Sequence, residues 1–382
     1  MSKLRVSSYR LQVLIFFLAT CLLQLATVVH AADYPDIGPL PERKAPNPKA
    51  VELGKALFFD ARLSGDAGVS CATCHNSENG FTTKMPLSEA YPGSKHWRNA
   101  STMLNIVYKK GGFGWDGRLM DLDDMLRDMI TDSMNMNMDM QLMQERLKQD
   151  PKVVALTKEA YGDKNMGTSQ KGEMTHYVAR NALIQFLETL VSKNAPFDKG
   201  ALSGKAKEGM ALFKGKAGCI QCHNTPYFSD GKPHNTGVPE NPEVFKDPQR
   251  HFTYVAYMMF MGVDNRMKWR RDVGYYTISK DRGDVGKFIT PTLRELKYTA
   301  PYMHNGIFTT LDEVIEFYNQ GGGEDRPGLK DVALKPLNLT SAEKDAIKEF
   351  LLSLSGEEVR FDMPKGVKVE YQPLPNWREV KN

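Results

Sequence analysis

Apolar residues recur at helical spacing in several separate stretches of this chain, whereas strand-like alternation is scarce and short. Glu52-Leu53-Gly54-Lys55-Ala56-Leu57-Phe58 and Glu208-Gly209-Met210-Ala211-Leu212-Phe213 carry one such pattern twice, each followed by a glycine-containing loop. Between them, 174–191 places apolar residues on one helical face and is stopped by Lys193-Asn194-Ala195-Pro196. Two capping boxes open helices near the end. Thr310 to Glu313 precedes Val314, Phe317 and Tyr318, and Thr340 to Glu343 precedes a stretch that runs to Leu354 and is closed by Gly356. The pattern predicts a mainly α fold of two similar helical halves with a boundary near residue 195.

The opening residues follow a different logic. Lys3, Arg5 and Arg10 precede an apolar run from Leu11 to Val29, and Val29-His30-Ala31 ends in residues suited to a signal peptidase. This predicts an export signal over 1–31, cleaved near Ala31, and a periplasmic mature protein. A retained anchor is the alternative, because the run is close to spanning length. Removing the leader's three basic residues from the net charge of +4 leaves +1. With no basic stripe, nothing argues for nucleic acid. The 382 residues, less this leader, suffice for two domains, 32–195 and 196–382.

The chemistry is concentrated in the cysteines. All but Cys21 of the leader belong to Cys71-Ala72-Thr73-Cys74-His75 or Cys219-Ile220-Gln221-Cys222-His223. A zinc site would pool four thiolates, and a redox dithiol needs no histidine after each pair. Two Cys-x-x-Cys-His pentapeptides that use every remaining cysteine predict two covalently bound c-type haems, with His75 and His223 as the proximal iron ligands. A low aliphatic content is expected if haem fills part of each interior.

In order with these motifs, Arg98-Asn99, Trp115-Asp116-Gly117-Arg118, Thr290-Pro291-Thr292-Leu293-Arg294 and Ala300-Pro301-Tyr302-Met303-His304-Asn305-Gly306 resemble the bacterial dihaem cytochrome c peroxidase and MauG family. The resemblance covers nearly all of the chain after the leader. It implies two cytochrome c-like helical domains with one haem each: a peroxidatic haem on His75 and an electron-transfer haem on His223. By the same resemblance Trp115 lies between the haems, with a packing aromatic as the alternative. Asn99, Thr299 and Pro301 match the oxygen ligands of a calcium ion, although Asn99 could instead cap a loop. The resemblance also places His304, the histidine of the Pro-Tyr-x-His segment, among the catalytic residues. The peroxidases carry a methionine fourteen residues after that histidine and MauG a tyrosine; here the residue is Tyr318. As sixth ligand Tyr318 would stabilise ferric iron; as a helix residue it could simply pack. Met303, Met258, Met259 and Met261 compete for the same role.

The peroxide pocket departs from the family. Met125 stands where a glutamine is usual and Asn135 where the proton-moving glutamate is usual, and neither is an acid or base. Asp123, Asp124 or Asp132 could substitute. Tyr91 replaces the displaceable histidine, and His96 is the nearest imidazole, either a ligand or a loop residue. Met134, Met136, Met138 and Met140 alternate with polar residues and suit either a packed core or copper(I). The stretch 245–276, with Arg266, Lys268, Arg270 and Arg271 near Trp269, reads as an insertion beside the second haem, either a docking surface or a solvated loop. Three functions remain: a hydrogen peroxide-dependent oxidoreductase fed by a small cytochrome c or cupredoxin, a MauG-like enzyme oxidising residues of a partner protein, and a non-catalytic electron carrier. A homodimer is also open.

Overall fold

The computed structural model describes residues 36–361, apart from 93, 168–169 and 325–329; the leader and its cleavage site lie outside them. Helices dominate. α1 (Pro48–Phe58) begins at Asn47, whose side chain accepts the amide hydrogens of Lys49 and Ala50, with Pro48 preset for the first turn. α2 (Leu122–Thr131), α3 (Met140–Lys148), α4 (Pro151–Tyr161) and α5 (His176–Leu187) complete the first half, each capped by an aspartate or threonine side chain. The second half contains α6 (Gly204–Lys214), α7 (Pro248–Phe260), α8 (Leu311–Asn319) and α9 (Ser341–Leu352). Both expected capping boxes form: Glu313 accepts from the Thr310 amide at 2.9 Å, and Glu343 from the Thr340 amide at 2.8 Å. The one two-stranded sheet among the described residues pairs β1 (Pro233–His234) with β2 (Phe288–Ile289), antiparallel, Pro233 opposite Ile289.

The repeat in the sequence is a repeat in packing. α1 lies on α5 and α6 lies on α9. The same residue type makes each approach possible: a Cβ on Gly54 would sit 1.9 Å from the Ala182 carbonyl oxygen, and one on Gly209 would sit 1.9 Å from that of Ala346. The crossing helices then bury Phe186 in one half and Phe350 in the other. Gly54→Ala and Gly209→Ala are each expected to cost about 1–3 kcal/mol or more by forcing the helices apart. An unchanged urea midpoint in either variant would contradict this packing.

A third cluster joins the halves. The stretch 243–285, led by α7, packs Val244, Tyr254, Tyr257, Met258 and Val273 against Leu87 and Trp97. It therefore folds onto the hairpin 87–98 of the first half, held by the bridge between Glu89 and Lys95 and by Arg250 donating to the Ser88 and His96 carbonyls. The insertion expected at 245–276 thus packs its apolar residues on the first half while Lys268 and Arg270 stay exposed. Met136 and Met138 are buried in the first core, Met140 packs on it, and Met134 packs on the third cluster, so these methionines serve as packing in two separate cores.

Candidate active site

Each CxxCH motif forms a single tight turn. Cys71–Cys74 is one helical turn in which the Ser70 amide donates to Thr73 Oγ1 at 2.9 Å. Cys219–Gln221 follows Gly218, whose φ of +63° a side chain would strain. In both, the histidine amide closes the turn on the first cysteine's carbonyl at 2.9 Å. His75 Nδ1 then meets the Phe81 carbonyl at 3.1 Å, and His223 Nδ1 meets that of Phe228 at 3.0 Å. Since a carbonyl only accepts, Nδ1 carries the proton and Nε2 keeps the lone pair that a metal needs. Burial pushes both imidazoles towards the neutral, ligating form, against these carbonyl contacts.

The donor set suits covalent haem better than the alternatives. Burial pushes the Cys71 and Cys219 thiols up to about 12 and Cys74 to about 11, the opposite of a reactive dithiol. Nor do the four thiols converge: among the described residues the only His, Cys, Asp and Glu close enough to share an ion are Cys222, Asp230 and His234. In that group His234 is held by Asp230 at 2.9 Å and Asp331 at 2.7 Å. Asp230 first, then the Cys222 thiol and Asp331, push His234 up to about 11 from 6.5. Its contribution to stability is therefore present below pH 6.5 and is lost as pH rises through about 11. His234→Gln should cost about 1.5–3 kcal/mol at pH 6 and less at pH 10. A pH-independent difference between the two unfolding midpoints would contradict it.

Cys219, Cys222 and His223 line a cavity that α8 also lines. Leu311, Val314, Ile315 and Tyr318 face it at helical spacing, so one stripe of one helix delivers the tyrosine. Burial first, then the nearby Cys219 and Cys222, raise the Tyr318 phenol and outweigh the Thr236 side chain, which favours the phenolate. Met303 also lines the cavity; Met258 lies in the third cluster and Met259 is exposed on α7. Trp115, Met125, Asn99, Thr299, Pro301 and His304 continue the same lining. The Trp115 indole N–H donates to the Asn99 carbonyl at 2.8 Å and its ring lies 6.4 Å from that of His304. His304 is stacked on Phe288 at 3.7 Å, burial pushes its pKa down to about 3, and its Nε2 finds no partner among the described residues. A buried nitrogen facing a cavity without a partner fits a polar edge of a cofactor seated there.

The other pocket positions have unequal surroundings. Asn135 Oδ1 meets His96 Nε2 at 3.1 Å, a pairing across 39 residues that sequence spacing did not reveal. Burial lowers His96 to about 4, and its ring stacks on Trp97 at 4.7 Å. The aspartates proposed as substitutes are engaged elsewhere. Asp123 is ion-paired with Arg180 at 2.8 Å on the exposed face of α2; Asp124 holds Arg127 and the Met120 amide; Asp132 accepts the Met134 amide and lies 3.6 Å from Arg118. Tyr91 packs on the first core, with its amide on the Met134 carbonyl.

A family profile described as di-haem cytochrome c peroxidase matches residues 48–207. The cytochrome-c peroxidase IdrP2 of Denitromonas iodatirespirans is 48% identical over 91% of this chain and 92% of its own. The methylamine utilization protein MauG of Methylorubrum extorquens is 34% identical over 87% of this chain and 85% of its own. Among solved structures, a MauG-like protein associated with microbial copper homeostasis aligns with a TM-score of 0.68, covering 91% of this chain and 99% of that one at 23% identity. The diheme peroxidase BthA from Burkholderia thailandensis aligns at 0.66, covering 87% and 92% at 23% identity. At that identity the structural likeness speaks to the fold.

Proposed function

The chain belongs to the di-haem cytochrome c peroxidase and MauG family and is an enzyme, and on that premise we propose that it is an exported oxidoreductase that reduces hydrogen peroxide at the His75 site with electrons drawn from the His223 site through Trp115. In this reading the halves 32–195 and 196–382 would each carry one covalent haem, His223 and Tyr318 would hold the second, and Asn99, Thr299 and Pro301 would offer oxygens to a calcium ion. Its main support is a single observation: His223, Tyr318, Trp115 and His304 line one cavity. A non-catalytic carrier is set aside, since relatives 48% identical over about nine tenths of the chain are named cytochrome-c peroxidases.

When bound, the haems supply the electrons that cleave the peroxide O–O bond. His75 and His223 present Nε2 in a tautomer held by the Phe81 and Phe228 carbonyls. Trp115 is kept in one orientation by its bond to Asn99. Met125 adds a thioether wall and no proton. The His96 imidazole, in contact with Asn135, is kept neutral by burial and the nearby arginines. Electrons reach the second site from a small cytochrome c or cupredoxin. The greater identity to a relative named cytochrome-c peroxidase favours this over oxidation of a partner protein, the MauG-like reading that Tyr318 keeps open.

Stopped-flow spectroscopy of the diferric protein with peroxide tests the reading, with Tyr318→Phe in parallel. The expected result is a reaction with peroxide whose rate the variant alters; a long-lived doubly oxidised species formed directly in the diferric state and lost in the variant would favour the MauG-like reading instead. Reaction only after partial reduction, unaltered by the substitution, would contradict the role given to Tyr318. Absence of any reaction with peroxide would contradict the function.

A further inference from the structure

The peroxide chemistry makes no use of a buried phenol on α7. Tyr257 is 3% exposed, and its hydroxyl donates to Asp116 Oδ2 at 2.5 Å. Asp116 directly follows Trp115, so one hydrogen bond and one peptide unit separate the phenol from the indole that lines the cavity. The Tyr257 ring lies 4.7 Å from that of Trp97, itself stacked on His96 at 4.7 Å. The Arg98 guanidinium contacts rings of two groups, 5.5 Å from Trp97, 5.8 Å from Tyr257 and 5.6 Å from Phe288. Phe288 stacks on His304, which neighbours Trp115. Two groups of rings, linked by the Arg98 guanidinium, thus lead from the cavity wall to α7, where the surface positions Met259 and Phe260 follow Tyr257 closely.

The surroundings of Tyr257 favour loss of an electron and a proton together. Burial, then the charge of Asp116, raise the phenol far above its ordinary value, so it stays protonated until oxidised. Burial also disfavours the charged form of Asp116, but Arg98, the Tyr257 hydroxyl and Arg118 outweigh that and keep it an ionised acceptor. Loss of an electron makes a phenol strongly acidic, and the acceptor is already in place.

We infer that Tyr257 is a redox-active tyrosine that supplies an electron to the peroxide-oxidised site by way of Trp115 or Trp97 while passing its phenolic proton to Asp116. The phenol O–H bond breaks, an O–H bond forms on Asp116 Oδ2, and a neutral phenoxyl radical remains on α7. That electron counts as one of the two that peroxide takes up in becoming two waters. This rests on the peroxide reaction proposed above and gives oxidising equivalents an exit when the external donor is absent.

The test is freeze-quench electron paramagnetic resonance of the dihaem protein mixed with hydrogen peroxide without donor, with optical spectra of the same samples. Wild type should show a tyrosyl signal that narrows when the protein is grown on ring-deuterated tyrosine. Tyr257→Phe should lose at least nine tenths of it while its optical response to peroxide persists. An undiminished signal in the variant, or an optical response with no tyrosyl signal in wild type, overturns the inference. If the haem spectra do not respond to peroxide, the functional reading fails. Photogenerated tris(bipyridyl)ruthenium(III) then decides Tyr257 separately: a tyrosyl signal larger in wild type than in Tyr257→Phe supports the inference, and equal signals overturn it. The deuterated wild type keeps the test open should the variant fold poorly, since a signal that does not narrow also overturns it.

Discussion

Arg98→Ala is expected to destabilise the protein by roughly 3–5 kcal/mol, because it would strand two buried carboxylates. Arg98 is 6% exposed and grips Asp272 with two bonds, Nε to Oδ2 at 2.6 Å and Nη2 to Oδ1 at 2.8 Å, while Nη1 reaches Asp116 at 2.6 Å. Glu240 adds a third acid beside Asp272: burial, reinforced by the Asp272 charge, pushes it up to about 8 and keeps it protonated near neutrality. Arg98→Lys should restore little, since an ammonium cannot reproduce the planar two-bond grip. Burial opposes ionisation of Asp116 and Asp272, but Arg98 prevails and holds both below 3.8. The network's contribution is therefore present above pH 3.8 and is lost as pH falls through the lower folded values. Urea unfolding at pH 7 measures the effect; a loss below about 1 kcal/mol would mean that these charges are not buried as described.

Phe350→Ala should cost a comparable 3–5 kcal/mol and should also disturb the second CxxCH site. Phe350 is completely buried, with ring centroids 5.2 Å from Phe213, 5.9 Å from Phe197 and 6.2 Å from Phe228. Phe228 supplies the carbonyl that orients His223, so a cavity beside its ring loosens the proximal ligand. The first half offers the matched control. Phe186 packs 5.2 Å from Phe58, which lies 6.1 Å from Phe81, the residue whose carbonyl orients His75. Low-temperature spectra should show Phe350→Ala altering the His223 haem and Phe186→Ala altering the His75 haem. If both variants disturbed the same haem, the independence of the two cores would be wrong.

What could be read from the sequence was local. The capping boxes at Thr310 and Thr340, the paired CxxCH turns and the stripe that carries Tyr318 depend on residues within a few positions, and they form as their spacing predicts. What could not be read was set by distant partners. His96 finds Asn135 only because the hairpin 87–98 lies against the loop after α2, and Arg98 finds Asp272 across 174 residues. Asp123 looked available until α5 placed Arg180 beside it. The stretch 245–276, read as a docking surface or a solvated loop, keeps Lys268 and Arg270 exposed, but its attachment was set by distant partners: Tyr254, Tyr257 and Met258, at helical spacing, pack it onto Trp97.

The central claim is that Cys71, Cys74, Cys219 and Cys222 are thioether anchors for two haems. Intact-mass measurement of the exported protein under denaturing, acidic conditions tests it directly. The account predicts the polypeptide mass plus two haems, falling to one when Cys219 and Cys222 are both replaced by serine. A chain of bare polypeptide mass, or one carrying a single adduct, would contradict it.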